Sequence, residues 1–224
     1  MDFENLRHVD PVKRSAEKQS AAPEYSPMNP PDAYSPPAAD PVAYEAMPEF
    51  LRGLMDDHGD FQVAVESLEE ALTQLRQNGF GAGRVVDERL RGFFTFLDDR
   101  IVGHNLKEEK ILFPVLHERL LEKGEHGRGE SRRTAVDMLE DDHIRVMQLA
   151  AVTFNFLGLA SRLADARARA IVLDAALEQG SALVELMRLH VFREENVVFA
   201  LAVKHLSSSD FDNMRERAAR YGLR

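Results

Sequence analysis

The chain has 224 residues, no cysteine and a formal net charge of −10. The lack of cysteine excludes disulfides, thiolate metal sites and cysteine nucleophiles, so any metal ion must be bound by His, Asp, Glu or backbone oxygens. The negative charge argues against a general nucleic-acid-binding protein, because neutralising phosphates requires clustered Lys and Arg.

The N-terminus has no feature of a secretory signal, since its first residues, MDFENLRHVD, are charged. No stretch of the chain approaches the uninterrupted apolar length that a membrane span requires. We therefore expect a soluble, cytoplasmic protein without a membrane partner.

Proline divides the chain into two parts. Nine of the ten prolines lie in residues 1–48, in a segment without helical or strand periodicity. We predict a Pro-rich N-terminal extension over residues 1–47 and a helical domain over residues 48–224. The extension contains Tyr25, Tyr34 and Tyr44, which favours a segment that lies along the domain.

From Pro48 onward the apolar spacing is helical. It predicts four long helices, over residues 48–77, 84–123, 131–163 and 166–205, with a loop at Phe80–Gly83. A short fifth helix is expected to start near Ser209. Long helices with short connections favour an all-α, up-down-up-down four-helix bundle.

The helical domain contains an internal repeat. The sequence HNLKEEKILFPVL begins at His104, and the similar HVFREENVVFALA begins at His190. Separately, LMDDH ends at His58 and LEDDH ends at His143. The first two helices therefore match the last two, which predicts a pseudo-twofold bundle.

Each half of the repeat contains one lone His and one His-x-x-x-Glu pair. Residues four apart share one face of an α-helix, so His104 lies beside Glu108 and His190 beside Glu194. Both faces are otherwise apolar and should point into the bundle. Buried carboxylates without partners are costly, so two of them require a compensating cation.

The lone histidines complete a candidate metal site. His58 and His143 lie on apolar stripes, so that each of the four helices contributes one inward imidazole. Each of two divalent ions would bind two imidazoles, and both carboxylates would bridge. This ligand set suits iron, manganese or zinc. The candidate metal ligands are His58, His104, Glu108, His143, His190 and Glu194.

The motifs from His104 to Leu116 and from His190 to Ala200 resemble those of the hemerythrin-like (HHE cation-binding) family. The resemblance covers roughly residues 48–205. It implies a non-haem site with two iron ions, oxo- or hydroxo-bridged, in which Glu108 and Glu194 are the bridging ligands.

The chain departs from the oxygen-carrying hemerythrins at two positions. They have a second His one turn after the third-helix His, where this chain has Met147. They also use an Asp five residues after the last His, whereas here Glu194 follows at four, with Glu195 as a spare carboxylate. These differences argue against reversible O₂ carriage. The ligand set is closer to di-iron proteins implicated in iron-centre repair and nitric-oxide chemistry, and to an iron-sensing domain of a ubiquitin ligase.

Several other polar residues are not expected to bind metal. His8, His117, His126 and His205 fall in the tail, a polar loop or near helix ends. Asp57 and Asp142 directly precede the lone histidines, but adjacent helix positions point apart, so we expect both on solvated faces. Pro114 should remove one helical hydrogen bond, to the Lys110 carbonyl. The late basic residues Arg215, Arg217, Arg220 and Arg224 are expected to form a solvated face.

Three functions fit the sequence. The first is a di-iron protein that binds or reduces O₂, peroxide or NO in oxidative or nitrosative stress, or in iron homeostasis. The second is an iron or oxygen sensor without turnover, and the third is a structural zinc or metal-free bundle. The sequence leaves open whether the chain is an enzyme and whether it binds a protein partner or forms a homodimer.

Overall fold

The computed structural model describes residues 42–127 and 132–222, which form helices and contain no β-strand. Four long helices and one short C-terminal helix account for most of this part of the chain. Their α-helical segments are α1 (Glu49–Asn78), α2 (Arg84–Phe96), α3 (Val102–Lys107), α4 (Phe113–Lys123), α5 (Ala135–Ala160), α6 (Ala166–Arg193), α7 (Phe199–His205) and α8 (Ser208–Tyr221). The first long helix is α1, the second joins α2 to α4, the third is α5, and the fourth joins α6 and α7.

Wider π-helical turns interrupt the second and fourth long helices. They span Leu97–Ile101, Glu108–Leu112 and Glu194–Val198. Two of the three begin at a glutamate predicted to bind metal. Single π-turns within α-helices occur often at functional sites, since they shift the direction in which the following side chains point.

Local sequence signals set the helix ends. The Thr134 side chain accepts a hydrogen bond from the Val136 amide, while the Asp137 carboxylate accepts one from the Thr134 amide. This capping box starts the third long helix. Gly124 has a left-handed backbone (φ 74°) and ends the second, a conformation that glycine adopts without strain.

The apolar core consists of two clusters, one on each side of the predicted metal ligands. One cluster contains Leu54 and Ile111, and the other contains Phe61 and Ile101. His58 therefore lies between the two clusters on the first helix, and His104 does so on the second. The predicted site is a polar layer within an apolar bundle.

Most of the predicted helix bounds are confirmed within a few residues. The third long helix was predicted from residue 131, which was wrong, because the capping box places its start at Ala135. The predicted loop at Phe80–Gly83 is largely a 3₁₀ turn, Gly79–Ala82. Among the described residues, no helix has the length and apolar character needed to span a membrane.

Candidate metal centre

The structure brings together the six side chains predicted to bind metal. They come from all four long helices and are almost completely buried, with exposed fractions from 0% to 7%. They are His58, His104, Glu108, His143, His190 and Glu194. Their apolar neighbours along each helix, such as Leu54 and Ile111, are buried as the spacing predicted.

The six side chains form two groups that share one carboxylate. His58 and His104 lie with Glu194 in one group, and His143 and His190 lie with Glu108 and Glu194 in the other. Within each group the candidate ligand atoms lie within 4.8 Å of one another. Each half of the sequence repeat therefore supplies one pair of imidazoles.

Both carboxylates lie between the two imidazole pairs. Glu194 Oε1 is 2.5 Å from His190 Nε2, and its Oε2 is 2.8 Å from His58 Nε2. Glu108 Oε2 is 3.3 Å from His143 Nε2 and 3.7 Å from His104 Nε2. Glu194 thus contacts both imidazole pairs through its two oxygens, whereas Glu108 approaches both through Oε2 and lies closer to His143.

The outward-facing nitrogen of each imidazole contacts a carboxylate from a neighbouring helix. In the first half of the repeat, Asp57 on the first long helix lies 3.2 Å from His104 Nδ1 on the second. The Lys107 ammonium donates to the same aspartate oxygen at 3.0 Å. The basic residue of the HNLKEE motif therefore holds the carboxylate that orients His104.

The second half of the repeat has a similar arrangement with a longer aspartate–imidazole contact, at which His190 Nδ1 makes no hydrogen bond to any described residue. Asp142 on the third helix lies 3.5 Å from His190 Nδ1 on the fourth. The Arg193 guanidinium donates to Asp142 at 2.6 Å. Arg193 occupies the same motif position as Lys107, which explains why both copies of the repeat carry a basic residue there.

The second glutamate of each motif orients a lone histidine. Glu195 Oε1 accepts from His58 Nδ1 at 2.9 Å, and Glu109 Oε1 accepts from His143 Nδ1 at 2.9 Å. Each neighbouring pair of long helices is therefore joined by one such contact, two through the aspartates and two through the glutamates. The four contacts form a closed ring around the bundle. We call these four contacts the carboxylate ring.

The carboxylate ring determines which imidazole nitrogen faces inward as a free ligand. Because carboxylates accept from Nδ1 of His58, His104 and His143, the proton of each neutral imidazole belongs there and its Nε2 lone pair points into the site. Asp142, 3.5 Å from His190 Nδ1, favours the same orientation of His190. His143 Nε2 and His190 Nε2 are only 3.1 Å apart. Two lone pairs at that distance repel each other unless a proton or a metal cation lies between them.

Aromatic rings pack against the imidazoles and exclude water. The Phe113 ring stacks on His143 with centroids 5.7 Å apart, and Phe199 stacks on His58 at 5.8 Å. Both phenylalanines occupy the same position in the repeat and are fully buried. The repeated motif thus supplies the site with packing as well as with ligands.

The electrostatics of the site favour positive charge. Burial by itself lowers the pKa of His104, but the Glu108 charge and the Asp57 contact outweigh it and raise the pKa to about 9. Burial likewise lowers the pKa of His190, yet Glu194 and neighbouring carboxylates raise it to about 10. Burial would raise the pKa of Glu194, but His190 and the other imidazoles hold it well below its usual range.

The inward-facing atoms fit a metal better than they fit one another. Both carboxylate oxygens of Glu108 and Glu194, and Nε2 of His58 and His104, are buried without a properly oriented hydrogen bond among the described residues. Buried polar atoms in folded proteins are normally paired. A cation bound by these oxygens and nitrogens would satisfy them.

Two predictions about the surroundings of the site were wrong. Asp57 and Asp142 were expected on solvated faces, but they are largely buried and contact the imidazoles of the neighbouring helices. Adjacent helix positions do point apart, so each aspartate turns away from its own histidine and towards another helix. Hydrogen bonds from His104 and Lys107 overcome the effect of burial and lower the pKa of Asp57 to about 2.

The remaining candidates lie away from the site. Met147 is 42% exposed and is not part of either group of candidate ligands. The Tyr44 hydroxyl donates to Asp56 at the surface. His117 contacts Thr134, and His205 lies near Glu125. Tyr25, Tyr34, His8 and Arg224 lie outside the described residues.

Comparison with known proteins gives one match. A protein-family model described as the hemerythrin HHE cation-binding domain matches residues 49–202, more than half of the chain. The matched residues include all six candidate ligands and the carboxylate ring. No curated protein and no solved structure matches the chain.

Proposed function

The chain belongs to the hemerythrin HHE cation-binding family, and we propose that it holds two iron ions with which it binds or reduces O₂, peroxide or NO. One observation carries this proposal. Six buried imidazole and carboxylate groups meet in the centre of the bundle, and their inward-facing atoms lie within 4.8 Å in two groups.

We assign each half of the repeat to one ion. His58 and His104 would bind one iron, His143 and His190 the other, and Glu108 and Glu194 would bridge. Bound iron would supply a Lewis acid and a source of electrons for a small ligand. We also propose that the short connections arrange the four long helices in an up-down-up-down order.

The residues around the centre would orient the ligands and exclude water. The carboxylate ring keeps the four Nε2 lone pairs directed inward, and Phe113 and Phe199 cover two imidazoles. A ligand set held in place by its surroundings loses little entropy on binding metal, so the iron should be retained when an exogenous ligand binds.

Two grooves lead from the surface towards the lone histidines. One, of about 450 Å³, lies between the first and fourth helices and reaches His58 and Glu195. The other, of about 540 Å³, lies between the second and third helices and reaches His143 and Glu109. Both are lined mainly by apolar side chains, which favours a small neutral ligand over a large or highly charged one.

Anaerobic ligand addition tests the proposal. The reduced, iron-loaded protein is mixed with NO or peroxide, and the absorption spectrum and the ligand concentration are followed with time. We expect a spectral change that is lost in Glu194→Ala. An unchanged spectrum in the iron-loaded protein would contradict the proposal. A change in hydrogen-exchange protection on chelation, without ligand consumption, would instead favour the iron or oxygen sensor.

A further inference from the structure

The C-terminal helix α8 packs against the turn that carries Glu108. It follows the residues matched by the family model, which end at residue 202. Phe211 and Met214 of α8 are buried in the same apolar cluster as Ile111 and Leu112. Those two residues belong to the π-helical turn Glu108–Leu112.

Pro114 removes one hydrogen-bond donor next to this turn. A proline has no amide hydrogen, so it cannot donate to the Lys110 carbonyl four residues earlier, as that position would in a regular α-helix. The Arg217 guanidinium of α8 donates to that carbonyl at 2.8 Å. A side chain from outside the four long helices therefore supplies a donor to the backbone of the turn.

The other half of the repeat keeps its backbone donor at this position. Ala200 occupies the position that corresponds to Pro114, and it carries the amide hydrogen that proline lacks. The π-helical turn Glu194–Val198 can thus continue into α7 with its own backbone donors. The donor from α8 is therefore present in the half of the repeat that has a proline at this position.

We infer that α8 is a positioning element for the metal centre, and that Arg217 fixes the turn from which Glu108 reaches the ions. The inference rests on the proposed function, because it assigns Glu108 a role as a metal ligand. Arg217 does not touch the centre and acts through the backbone of Lys110.

Three variants test this role. Arg217→Met keeps an unbranched side chain, about as long as the aliphatic stem of arginine, and removes the donors, whereas Arg217→Lys keeps a cationic donor group. Arg220→Met is the matched control, since Arg220 lies on the same helix and forms an ion pair with the exposed Glu216. All three substitutions preserve good helix propensity.

The first measurement is the rate at which a chelator removes iron from the loaded full-length protein. We expect Arg217→Met to lose iron about tenfold faster, as for other residues that support metal ligands. Arg217→Lys should recover part of this loss, and Arg220→Met should match the wild type. The absorption spectrum of the iron centre should shift in Arg217→Met alone.

The second measurement does not require metal. The Phe113 amide donates to the Glu108 carbonyl, so its hydrogen exchange reports on the π-helical turn. We expect faster exchange at Phe113 in Arg217→Met than in Arg220→Met. Unchanged exchange, iron loss and spectrum in Arg217→Met would overturn the inference while leaving the proposed function intact. A wild-type protein that binds no metal would overturn the proposed function itself, and with it the role given to Glu108.

Discussion

The Glu195 side chain offers a test of the carboxylate ring that disturbs little else. Its carboxylate accepts from His58 Nδ1 at 2.9 Å, and its side chain is 30% exposed. Removing a carboxylate that supports a metal-binding imidazole costs about 10- to 100-fold in metal affinity. Water can enter from the groove and accept the same hydrogen bond. Glu195→Ala should therefore lower the metal affinity by about tenfold, the lower end of that range.

The effect on folding should be small by comparison. One partly exposed hydrogen bond contributes about 1 kcal/mol, so the free energy of unfolding should change by no more than that. Glu195→Gln keeps an acceptor oxygen and should bind metal nearly as well as the wild type. Glu109→Ala, at the corresponding position, should behave like Glu195→Ala.

Metal affinity can be measured by anaerobic titration against a coloured chelator. The matched control is Glu118→Ala, which removes an exposed glutamate of the second long helix away from the imidazoles. Unchanged affinity in both Glu195→Ala and Glu109→Ala would refute the role given to the carboxylate ring. Equal losses in Glu118→Ala would show that the effect is a general consequence of lost negative charge.

Two further predictions concern packing and protons. A Cβ atom at Gly180 would lie 2.8 Å from the buried Leu72 side chain, so Gly180→Ala should lower the free energy of unfolding by about 1 kcal/mol or more. Gly158 has open space for a Cβ atom, so Gly158→Ala should raise the free energy of unfolding by about 0.5–1 kcal/mol. Thermal unfolding of both variants measures the two changes, and equal shifts would contradict the predicted contrast. The raised pKa values of His104 (about 9) and His190 (about 10) stabilise the metal-free fold at a pH below the ordinary histidine pKa of 6.5, and this contribution is lost as the pH rises through about 9–10. Metal addition at pH 7 should therefore release protons into a weakly buffered solution, and metal binding without proton release would show that both imidazoles are already neutral.

The sequence predicted the six clustered side chains because the signal is repeated. Each lone His could by itself be an ordinary core residue, and each His-x-x-x-Glu pair an ordinary surface pair. The same pattern, however, occurs in both halves of the chain. The apolar spacing around His104 and His190 then assigns them to the buried faces. No knowledge of the neighbouring helices is required for this step.

The carboxylate ring could not be predicted in the same way. Asp57 points away from His58, and only the position of the second helix reveals that it faces His104. The ring depends on which helices are neighbours and on their axial offset, neither of which the spacing along one helix specifies. The recurring Lys107 and Arg193 were the available signal, since a cation repeated beside buried ligands suggests a carboxylate partner.

The π-helical turns were also missed, for a related reason. Helical periodicity does not distinguish one wide turn within a long helix from a regular turn. Pro114 indicated a lost hydrogen bond to Lys110, but the replacement donor comes from Arg217, which was expected on a solvated face. Arg217 is partly exposed, as expected, but the sequence did not reveal that it also contacts the backbone of the bundle.

Elemental analysis of protein purified without a histidine tag tests the central claim most directly. The two groups of ligands predict two iron ions per chain after growth with added iron. His104→Ala and Glu194→Ala should fold, as judged by circular dichroism, and should lose iron, because His104 belongs to one of the two groups and Glu194 to both. A folded wild-type protein that contains no iron, or one zinc ion instead, would contradict the di-iron account and favour a structural bundle.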